Sequence, residues 1–293
     1  NSGLANITSI LKRPVDTIFS GLAGGFKASE FTSNYLNEPN IISIDIGGTS
    51  TDVSSLRNFK GEILNNLKIS GHPISRPAVD VQTIGAGGGS IVKYTDGLIK
   101  IGPESASADP GPISYDKGGL DLTITDINLV MGILPTTLAG GEINLNLDKA
   151  LSAVDSLSQE INLSINKTIS GVRRIFHENI ANAIRSVSTQ RGYDPRDFVL
   201  LAYGGAGPLH AVEIAEIMAI SKIVIPPYPG VWSSFGLMGA DYEYYSSKSI
   251  IKPLKELDQN YLQDCINNLI QELKNKIQLD GIKLETPEIN IFL

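Results

Sequence analysis

The feature that most constrains the fold is an apolar strand that runs into a glycine-rich turn and out into a second strand. The β-branched segment Ile41–Ile46 predicts the first strand, and Val53–Leu56 predicts the second. The turn between them begins at Gly47 and continues with glycine, threonine and serine. Another apolar segment follows at Ile63–Ile69, so we predict three consecutive antiparallel strands between residues 41 and 70.

Helices and apolar strands alternate in the second half of the chain. A stripe of apolar residues predicts a long helix at about residues 167–191, and the apolar run Phe198–Tyr203 predicts a buried strand. A helix from Pro208, a strand at Lys222–Ile225 and one more helix complete the order β-β-β-α-β-α-β-α, with an insertion at about residues 71–165. This order predicts an α/β domain in which helices flank a mixed sheet.

The composition changes beyond residue 252 and predicts a separate region. Apolar residues with helical spacing mark an amphipathic helix at residues 257–277, and residues 288–293 are expected to form a strand that continues further. The first residue is Asn1 rather than Met. We therefore expect residues 1–252 to form the α/β domain and residues 253–293 to be the truncated start of a C-terminal region. The chain is then a piece of a longer polypeptide.

Composition argues against several classes of protein. The 293 residues are 42% hydrophobic and 19% charged, which is typical of a globular protein rather than a disordered one. A net charge of -7 and the lack of long Lys/Arg runs argue against nucleic-acid binding. No apolar run approaches the roughly 20 residues of a membrane span. The single cysteine, Cys265, agrees with a reducing compartment, so we expect a cytoplasmic protein.

The turn between the first two strands is the first candidate site. Closely spaced backbone N–H groups suit phosphate oxygens, glycine permits close approach, and hydroxyl groups add donors. Asp45 and Asp52 bracket the turn, and two carboxylates beside a phosphate suit Mg²⁺ held through water. An ordinary hairpin turn is the alternative. The candidate phosphate-binding residues are Gly47, Gly48, Thr49, Ser50 and Thr51.

Two further glycine-rich segments are weaker candidates. The segment Gly204–Gly207 lies between a buried strand and a helix, where the backbone could approach a flat ligand or a phosphate. It lacks the dinucleotide-binding spacing, and a structural role is about as strongly expected. The segment Gly85–Ser90 is either a ligand-contacting loop or a strained connection. In the first of these segments the candidate ligand-binding residues are Gly204, Gly205 and Gly207.

The three histidines provide little information about function. His177 falls near the apolar stripe of the long helix, so a structural role is expected. His210 follows the second glycine-rich segment and could face a cleft, although a structural role is favoured there too. His72, beside Pro73, could approach a partner or a substrate. No His/Cys spacing predicts a zinc site, and no nucleophile-elbow string predicts a Ser-His-Asp triad.

Five strings make the chain resemble the hydantoinase A / 5-oxoprolinase family, which also includes ATP-dependent ketone carboxylase subunits. They are IDIGGTSTDVSSL, IGAGGGSIVKYTDGLIKIGPESASADPGP, TITDINLVMG, FVLLAYGGAGPLHA and VIPPYPGVWSSFGLMGAD. The resemblance is specific, because the strings occur in the family's order over about residues 18–245. The segment Ser20–Gly25 also resembles the family's Ser-Gly-Pro-Ala-Gly-Gly, with Leu22 in place of proline.

The resemblance implies an α/β actin-like ATPase (ribonuclease H-like) lobe with an inserted subdomain. It implies that Asp45–Asp52 form the second phosphate loop of an ATP and Mg²⁺ site, and that Gly204–Gly207 supply the adenosine loop. Asp109, Asp126 and Asn128 would line the cleft. The family's other Asp-x-Gly-Gly-Thr motif has no copy here. The missing N-terminal lobe of the same protein and a hydantoinase B-like companion subunit or domain are therefore expected partners.

The resemblance also implies a reaction. A hydantoinase, N-methylhydantoinase or 5-oxoprolinase hydrolyses a small cyclic amide after phosphoryl transfer from ATP activates the carbonyl group, and Asp45 and Asp52 would be its catalytic residues. An ATP-dependent carboxylase subunit for a ketone such as acetone or acetophenone is the alternative, as is a non-catalytic scaffold of the same fold. The full-length protein is expected to be an enzyme, and this fragment alone to be inactive.

Overall fold

The computed structural model describes residues 7–12, 14–17, 20–64, 67–69, 72–74, 78–282 and 287–291. The chain divides into two compact units. One runs from Phe19 to Ala240, and the other combines Gly3–Ile18 with Asp241–Leu293. The domain boundary at residue 252 and the insertion at residues 71–165 stay predictions.

Short strands come before most of the long helices. Within the described residues the strands are β1 (Ile41–Ile46), β2 (Thr51–Arg57), β3 (Lys60–Gly61), β4 (Ile63–Leu64), β5 (Leu67–Ile69), β6 (His72–Ile74), β7 (Ala78–Val79), β8 (Val81–Ile84), β9 (Ser90–Thr95), β10 (Leu98–Ser105), β11 (Thr137–Leu138), β12 (Ile143–Asn144), β13 (Val199–Tyr203) and β14 (Lys222–Val224). The α-helices are α1 (Ile7–Lys12), α2 (Ser20–Leu36), α3 (Ile124–Val130), α4 (Leu147–Glu160), α5 (Ile165–Val187), α6 (Ala211–Met218), α7 (Trp232–Met238) and α8 (Gln259–Leu279).

The central sheet of the larger unit is mixed. Its strand order is β14-β13-β1-β2, and both β8 and the short β3 pair with the free side of β2. Strand β13 is parallel to β1 and to β14, whereas β2 is antiparallel to β1 and to β8. Helix α5 leads into β13, and α6 connects β13 with β14. The predicted α/β class, a mixed sheet flanked by helices, is confirmed.

The third strand of this sheet is not the predicted one. The segment Ile63–Ile69 contains β4 and β5, which pair with β7 and β6 in two separate two-stranded sheets. Strand β8 pairs with β2 instead, from Thr51 opposite Ile84 to Ser54 opposite Val81. An apolar pattern indicates a strand but not its partner, and β8 is too exposed to carry a strong pattern of its own.

The predicted long helix ends before residue 191. Helix α5 stops at Val187, and Thr189–Arg191 form a separate 3₁₀ turn. Gly192 ends that turn with a φ of +83°, a conformation that glycine adopts without strain. The helix and the turn together therefore occupy the segment that the apolar stripe predicted as one helix.

Alternation along β1 sends its side chains to opposite faces of the sheet. Ile44 and Ile46 belong to the larger hydrophobic cluster, which contains the apolar faces of α5 and α6. Ile41 belongs to a second cluster, together with Trp232 of α7 and apolar residues of α2. Asp45 is four positions from Ile41 and therefore lies on the α2/α7 face.

Glycine lies at the contact between α2 and α7. A Cβ on Gly236 would lie 2.0 Å from the carbonyl oxygen of Gly24 and 2.5 Å from the amide nitrogen of Ala28. We expect Gly236→Ala to lower the free energy of unfolding by about 1–3 kcal/mol, because backbone atoms would have to move. Urea unfolding measures this change. Gly239→Ala is the matched control, since nothing lies within 4 Å of its Cβ. Equal losses in both variants would contradict the close contact.

The smaller unit contains α1, α8 and 3₁₀ turns at Pro14–Thr17 and Leu254–Glu256. Cys265 is buried on α8. No helix in the described part of the chain is long and apolar enough to cross a bilayer. Residues 287–291 contain no strand, so the strand predicted at 288–293 is absent from that stretch, and the last two residues lie outside the described ones.

Candidate functional site

The turn predicted as a phosphate loop connects β1 and β2. The Gly47 amide donates to the carbonyl oxygen of Ser50 at 3.0 Å, which closes the turn. Gly48 and Thr49 are exposed. Among the described residues, no acceptor is bonded to the amide N–H of Gly48, Thr49 or Ser50. Three backbone donors at the end of the hairpin are therefore available to a ligand.

The loop between β8 and β9 packs directly on this turn. The amides of Gly88 and Gly89 donate to the carbonyl oxygens of Gly47 and Gly48 at 2.9 and 2.6 Å. A Cβ on Gly87 would lie 2.8 Å from the Gly47 carbonyl oxygen. None of the glycines in this loop has a positive φ. They are needed for close approach of two backbones rather than for a left-handed conformation.

The segment after β13 contacts the same turn. The Ala206 amide donates to the carbonyl oxygen of the last β1 residue at 2.9 Å. Gly204 has a φ of +85°, and its Cβ would lie 2.3 Å from Asp45 Oδ1. Gly205 is exposed, its φ lies outside the left-handed region, and nothing lies within 4 Å of its Cβ. The backbone therefore requires glycine at 204, whereas open space adjoins 205.

Two other predicted ligand-binding residues are buried. Thr51 is inaccessible, and its hydroxyl donates to the carbonyl oxygen of Ala86. Gly207 begins the 3₁₀ turn Gly207–Leu209 that precedes α6, and a Cβ added to it would make only ordinary van der Waals contacts. Their assignment to a ligand site stays a prediction.

Asp45 and Asp52 lie directly opposite each other in the β1–β2 pairing. The Ser233 hydroxyl donates to Asp45 Oδ2 at 2.8 Å, and the Thr83 hydroxyl donates to Asp52 Oδ1 at 2.6 Å. Burial raises the pKa of both carboxyl groups, although these two hydrogen bonds oppose it. The neighbouring charge of Asp45 raises the pKa of Asp52 further.

The raised pKa values of Asp45 and Asp52 determine how the stability of the fold changes with pH. The folded state binds these protons more tightly than the unfolded chain does, so the two groups stabilise the fold at pH values below their unfolded pKa. That stability is lost as the pH rises through the folded pKa. Above their folded pKa values the opposed carboxylates therefore destabilise the fold relative to neutral side chains, an arrangement that is common at functional sites.

The pair could hold a cation only with help from other groups. In the described ranges, no three His, Cys, Asp or Glu side chains converge in a way that could hold a metal ion. Mg²⁺ commonly keeps several waters and binds through one or two carboxylates plus phosphate oxygens. Asp45 and Asp52, next to the free donors of the turn, fit that kind of site.

The cleft-lining role implied for Asp126 is wrong. Its carboxylate is fully buried and accepts from the amides of Thr123 at 2.8 Å and Ser114 at 2.9 Å, as the capping group of α3. Asp109 is exposed in the loop after β10. A Thr-x-x-Asp string at the start of a helix is a capping signal, and here that signal accounts for the residue.

Asn128 and His210 are also buried, so neither lines a cleft. Asn128 Nδ2 lies 3.2 Å from His210 Nε2, and His210 Nδ1 lies 2.9 Å from His177 Nε2. The structural role predicted for His177 agrees with its burial, and His72 is exposed on β6. Arg173 joins this cluster and was not predicted. The available signal was its place within the apolar stripe of α5.

The family model described as Hydantoinase/oxoprolinase matches residues 1–245. The chain belongs to this family. It is 39% identical over 298 residues to an uncharacterized protein of Methanocaldococcus jannaschii, covering 97% of this chain and 44% of that protein. It is 33% identical over 279 residues to caprolactamase subunit alpha of Pseudomonas jessenii, covering 94% and 40%. The chain thus spans less than half the length of these hydantoinase/oxoprolinase relatives.

Solved structures confirm the actin-like ATPase fold of this family member. Nucleotide-free acetone carboxylase, whose acetone carboxylation is ATP-dependent, matches with a TM-score of 0.76 and 28% identity, over 91% of this chain and 39% of that one. The ATP-dependent caprolactamase of Pseudomonas jessenii matches with a TM-score of 0.75 and 30% identity, over 88% and 38%. The predicted family and fold class are both confirmed.

Proposed function

We propose that this chain is the phosphate-binding and nucleotide-binding lobe of an ATP-dependent enzyme that hydrolyses a cyclic amide. The observation that carries the proposal is that two glycine-rich segments, Gly85–Ser90 and Gly204–Gly207, both contact the glycine-rich turn between β1 and β2. Among the described residues, three amide N–H donors of that turn have no bonded acceptor. The family's description and the ATP-dependent caprolactamase support ATP use and a cyclic amide substrate.

The residues of the turn fit the groups of ATP. The N–H groups of Gly48, Thr49 and Ser50 would hold phosphate oxygens, because closely spaced backbone donors form an anion-binding concavity. Gly205 would admit the adenosine, since open space adjoins its Cα. ATP, when bound, supplies the phosphoryl group that activates the amide carbonyl towards water.

The carboxylates would organise charge at the site. Ser233 holds Asp45 from α7, and Thr83 holds Asp52 from β8, so both groups are oriented before a ligand arrives. In such a site they would bind Mg²⁺ through water. Groups that need no reorganisation during the reaction contribute most to transition-state stabilisation. The chain's part in catalysis is therefore positioning and charge balance.

The other half of the nucleotide cleft would be supplied by parts of the enzyme outside this chain. This proposal includes an N-terminal lobe of the same protein and a hydantoinase B-like companion subunit or domain. The description of the caprolactamase relative as subunit alpha supports a companion. The 293-residue chain alone is then inactive, because half of the nucleotide cleft is missing from it.

The test measures phosphate release by the full-length protein with its companion. We expect ATP turnover that depends on a cyclic amide such as hydantoin, 5-oxoproline or caprolactam and does not need bicarbonate. The isolated chain is the control and should not exceed background. Turnover of several per second by that chain would contradict the half-site.

A ketone carboxylase subunit is the second candidate. The observation in its favour is the match to acetone carboxylase, whose TM-score of 0.76 is as high as that of caprolactamase. Turnover that requires acetone or acetophenone together with bicarbonate would establish this function in place of amide hydrolysis. If the full-length protein does not bind ATP, the non-catalytic scaffold remains.

A further inference from the structure

The buried side chains of Asn128 and His210 join helix α3, which contacts one glycine-rich loop, to the segment that follows another. Asn128 lies on α3, where the amide and the hydroxyl of Thr125 donate to the carbonyl oxygen of Gly88 at 2.7 and 2.9 Å. The His210 amide donates to the carbonyl oxygen of Gly207 at 3.1 Å. The side-chain contact between Asn128 and His210 therefore connects the β8–β9 loop with the segment that follows β13.

Two residues of α5 complete the cluster. The Arg173 guanidinium donates to Asn128 Oδ1 and to the carboxylate of Glu213 on α6. His177 Nε2 lies 2.9 Å from His210 Nδ1. Asn128, Arg173, His177 and His210 are each at most 5% exposed. Buried polar groups of this kind are costly unless every donor and acceptor is matched.

The matching fixes the direction of each hydrogen bond. Arg173 can only donate, so Asn128 Oδ1 accepts and the amide Nδ2 of Asn128 faces His210 Nε2. An amide nitrogen only donates, so His210 Nε2 carries no proton. His210 is therefore neutral with its proton on Nδ1, which donates to His177 Nε2. His177 then carries its own proton on Nδ1.

The electrostatic surroundings agree with two neutral rings. The pKa of His177 is lowered to about 4, mainly by burial and also by the charge of Arg173, whereas the charge of Glu213 opposes the shift. Burial also lowers the pKa of His210 to about 2, helped by His177 and Arg173. The hydrogen bonds therefore all run in one direction: Arg173 donates to Asn128, Asn128 donates to His210, and His210 donates to His177.

We propose that Asn128, His210 and His177 are positioning residues whose directional hydrogen bonds fix the distance between the β8–β9 loop and the Gly204–Gly207 segment. Both of these border the turn between β1 and β2. The proposal rests on the proposed function, because the spacing of the loops matters only when a nucleotide binds between them. None of the three side chains touches the nucleotide in this proposal.

The direction of these hydrogen bonds can be tested without measuring nucleotide binding. Nitrogen-15 NMR of the histidine rings in the full-length protein should show His177 and His210 neutral and protonated at Nδ1 throughout pH 6–8. His177→Gln and His210→Gln samples assign the signals, and the exposed His72 is the internal reference. A proton on Nε2 of His210 would overturn the assigned direction.

The positioning role is tested by nucleotide affinity, measured calorimetrically with a non-hydrolysable ATP analogue. Asn128→Asp replaces a donating group with an accepting one, so His210 should move its proton to Nε2 and the affinity should fall about tenfold. His177→Gln keeps an acceptor for His210 Nδ1 and should retain the affinity, whereas His177→Leu should lose it. Val154→Ala, at a buried position on α4, is the control that lowers stability alone.

The possible outcomes separate the two proposals. If the unmodified protein binds the analogue and Asn128→Asp and His177→Leu bind it equally well, the positioning role is overturned and the proposed function stands. If the unmodified protein does not bind the analogue, the proposed function fails and the positioning role with it. If Asn128→Asp does not fold, the comparison of His177→Gln with His177→Leu decides. A loss of affinity in Val154→Ala equal to that in His177→Leu would also overturn the role.

Discussion

Asp45→Asn should lower amide-dependent ATP turnover of the full-length protein by about 100-fold or more, the loss typical of removed transition-state charge stabilisation. The melting temperature at pH 7 should stay the same or rise. Asparagine keeps an oxygen for the Ser233 hydroxyl and removes both the buried charge and its repulsion of Asp52. Phosphate release and thermal unfolding are measured on the same sample.

Asp52→Asn should behave in the same way, because the Thr83 hydroxyl can still donate to an amide oxygen. Asp155→Asn is the control, since this carboxylate is exposed on α4 and should change neither activity nor stability. If Asp45→Asn and Asp52→Asn both unfold, or both keep full activity, the two carboxylates are ordinary residues of a hairpin turn. The catalytic assignment would then be withdrawn.

Alanine at Gly204 should lower the stability of the fold, whereas alanine at the adjacent Gly205 should lower the affinity for the nucleotide instead. In Gly204→Ala the new methyl group collides with Asp45 Oδ1 and with the backbone of Ile46, and the positive φ adds strain. We expect a loss of about 2–5 kcal/mol in the free energy of unfolding from these two effects together. For a domain of this size that corresponds to a fall of roughly 10 °C in melting temperature.

In Gly205→Ala the methyl group enters open space, so the melting temperature should be unchanged or slightly higher. The affinity for an ATP analogue should fall about tenfold, because the methyl group occupies the space proposed for adenosine. Melting temperature and affinity are measured on both full-length variants. A Gly205→Ala protein with wild-type affinity would remove the adenosine from this segment, whatever Gly204→Ala does.

The hairpin at the site could be predicted because everything that specifies it is contiguous. The β-branched run of β1, the glycines of the turn and the return strand β2 lie within residues 41–57. Local spacing also located α5 and β13, whose apolar patterns are long or nearly continuous. In each of these cases the element and the apolar pattern that buries it lie in one contiguous segment of the chain.

The remaining features depend on partners far along the chain. Ile63–Ile69 has a strand-like pattern, yet β2 pairs with the less apolar β8, and only tertiary packing chooses between them. Asn128 was implied to line a cleft and a structural role was favoured for His210, but neither expectation indicated that the two residues lie in one buried cluster with Arg173. No local pattern specifies which distant side chain satisfies a buried polar group.

The parallel pairing of β1 with β13 determines when the proposed nucleotide site can exist. Ile41 lies opposite Val199, so the Gly204–Gly207 segment reaches the turn only after a very long loop has closed. Such closure is entropically costly, and non-local strand pairing is slow. A nucleotide that binds only the paired sheet cannot guide a growing chain to its fold. It can only stabilise the finished sheet against unfolding, by a free energy that grows with the logarithm of its concentration over its dissociation constant.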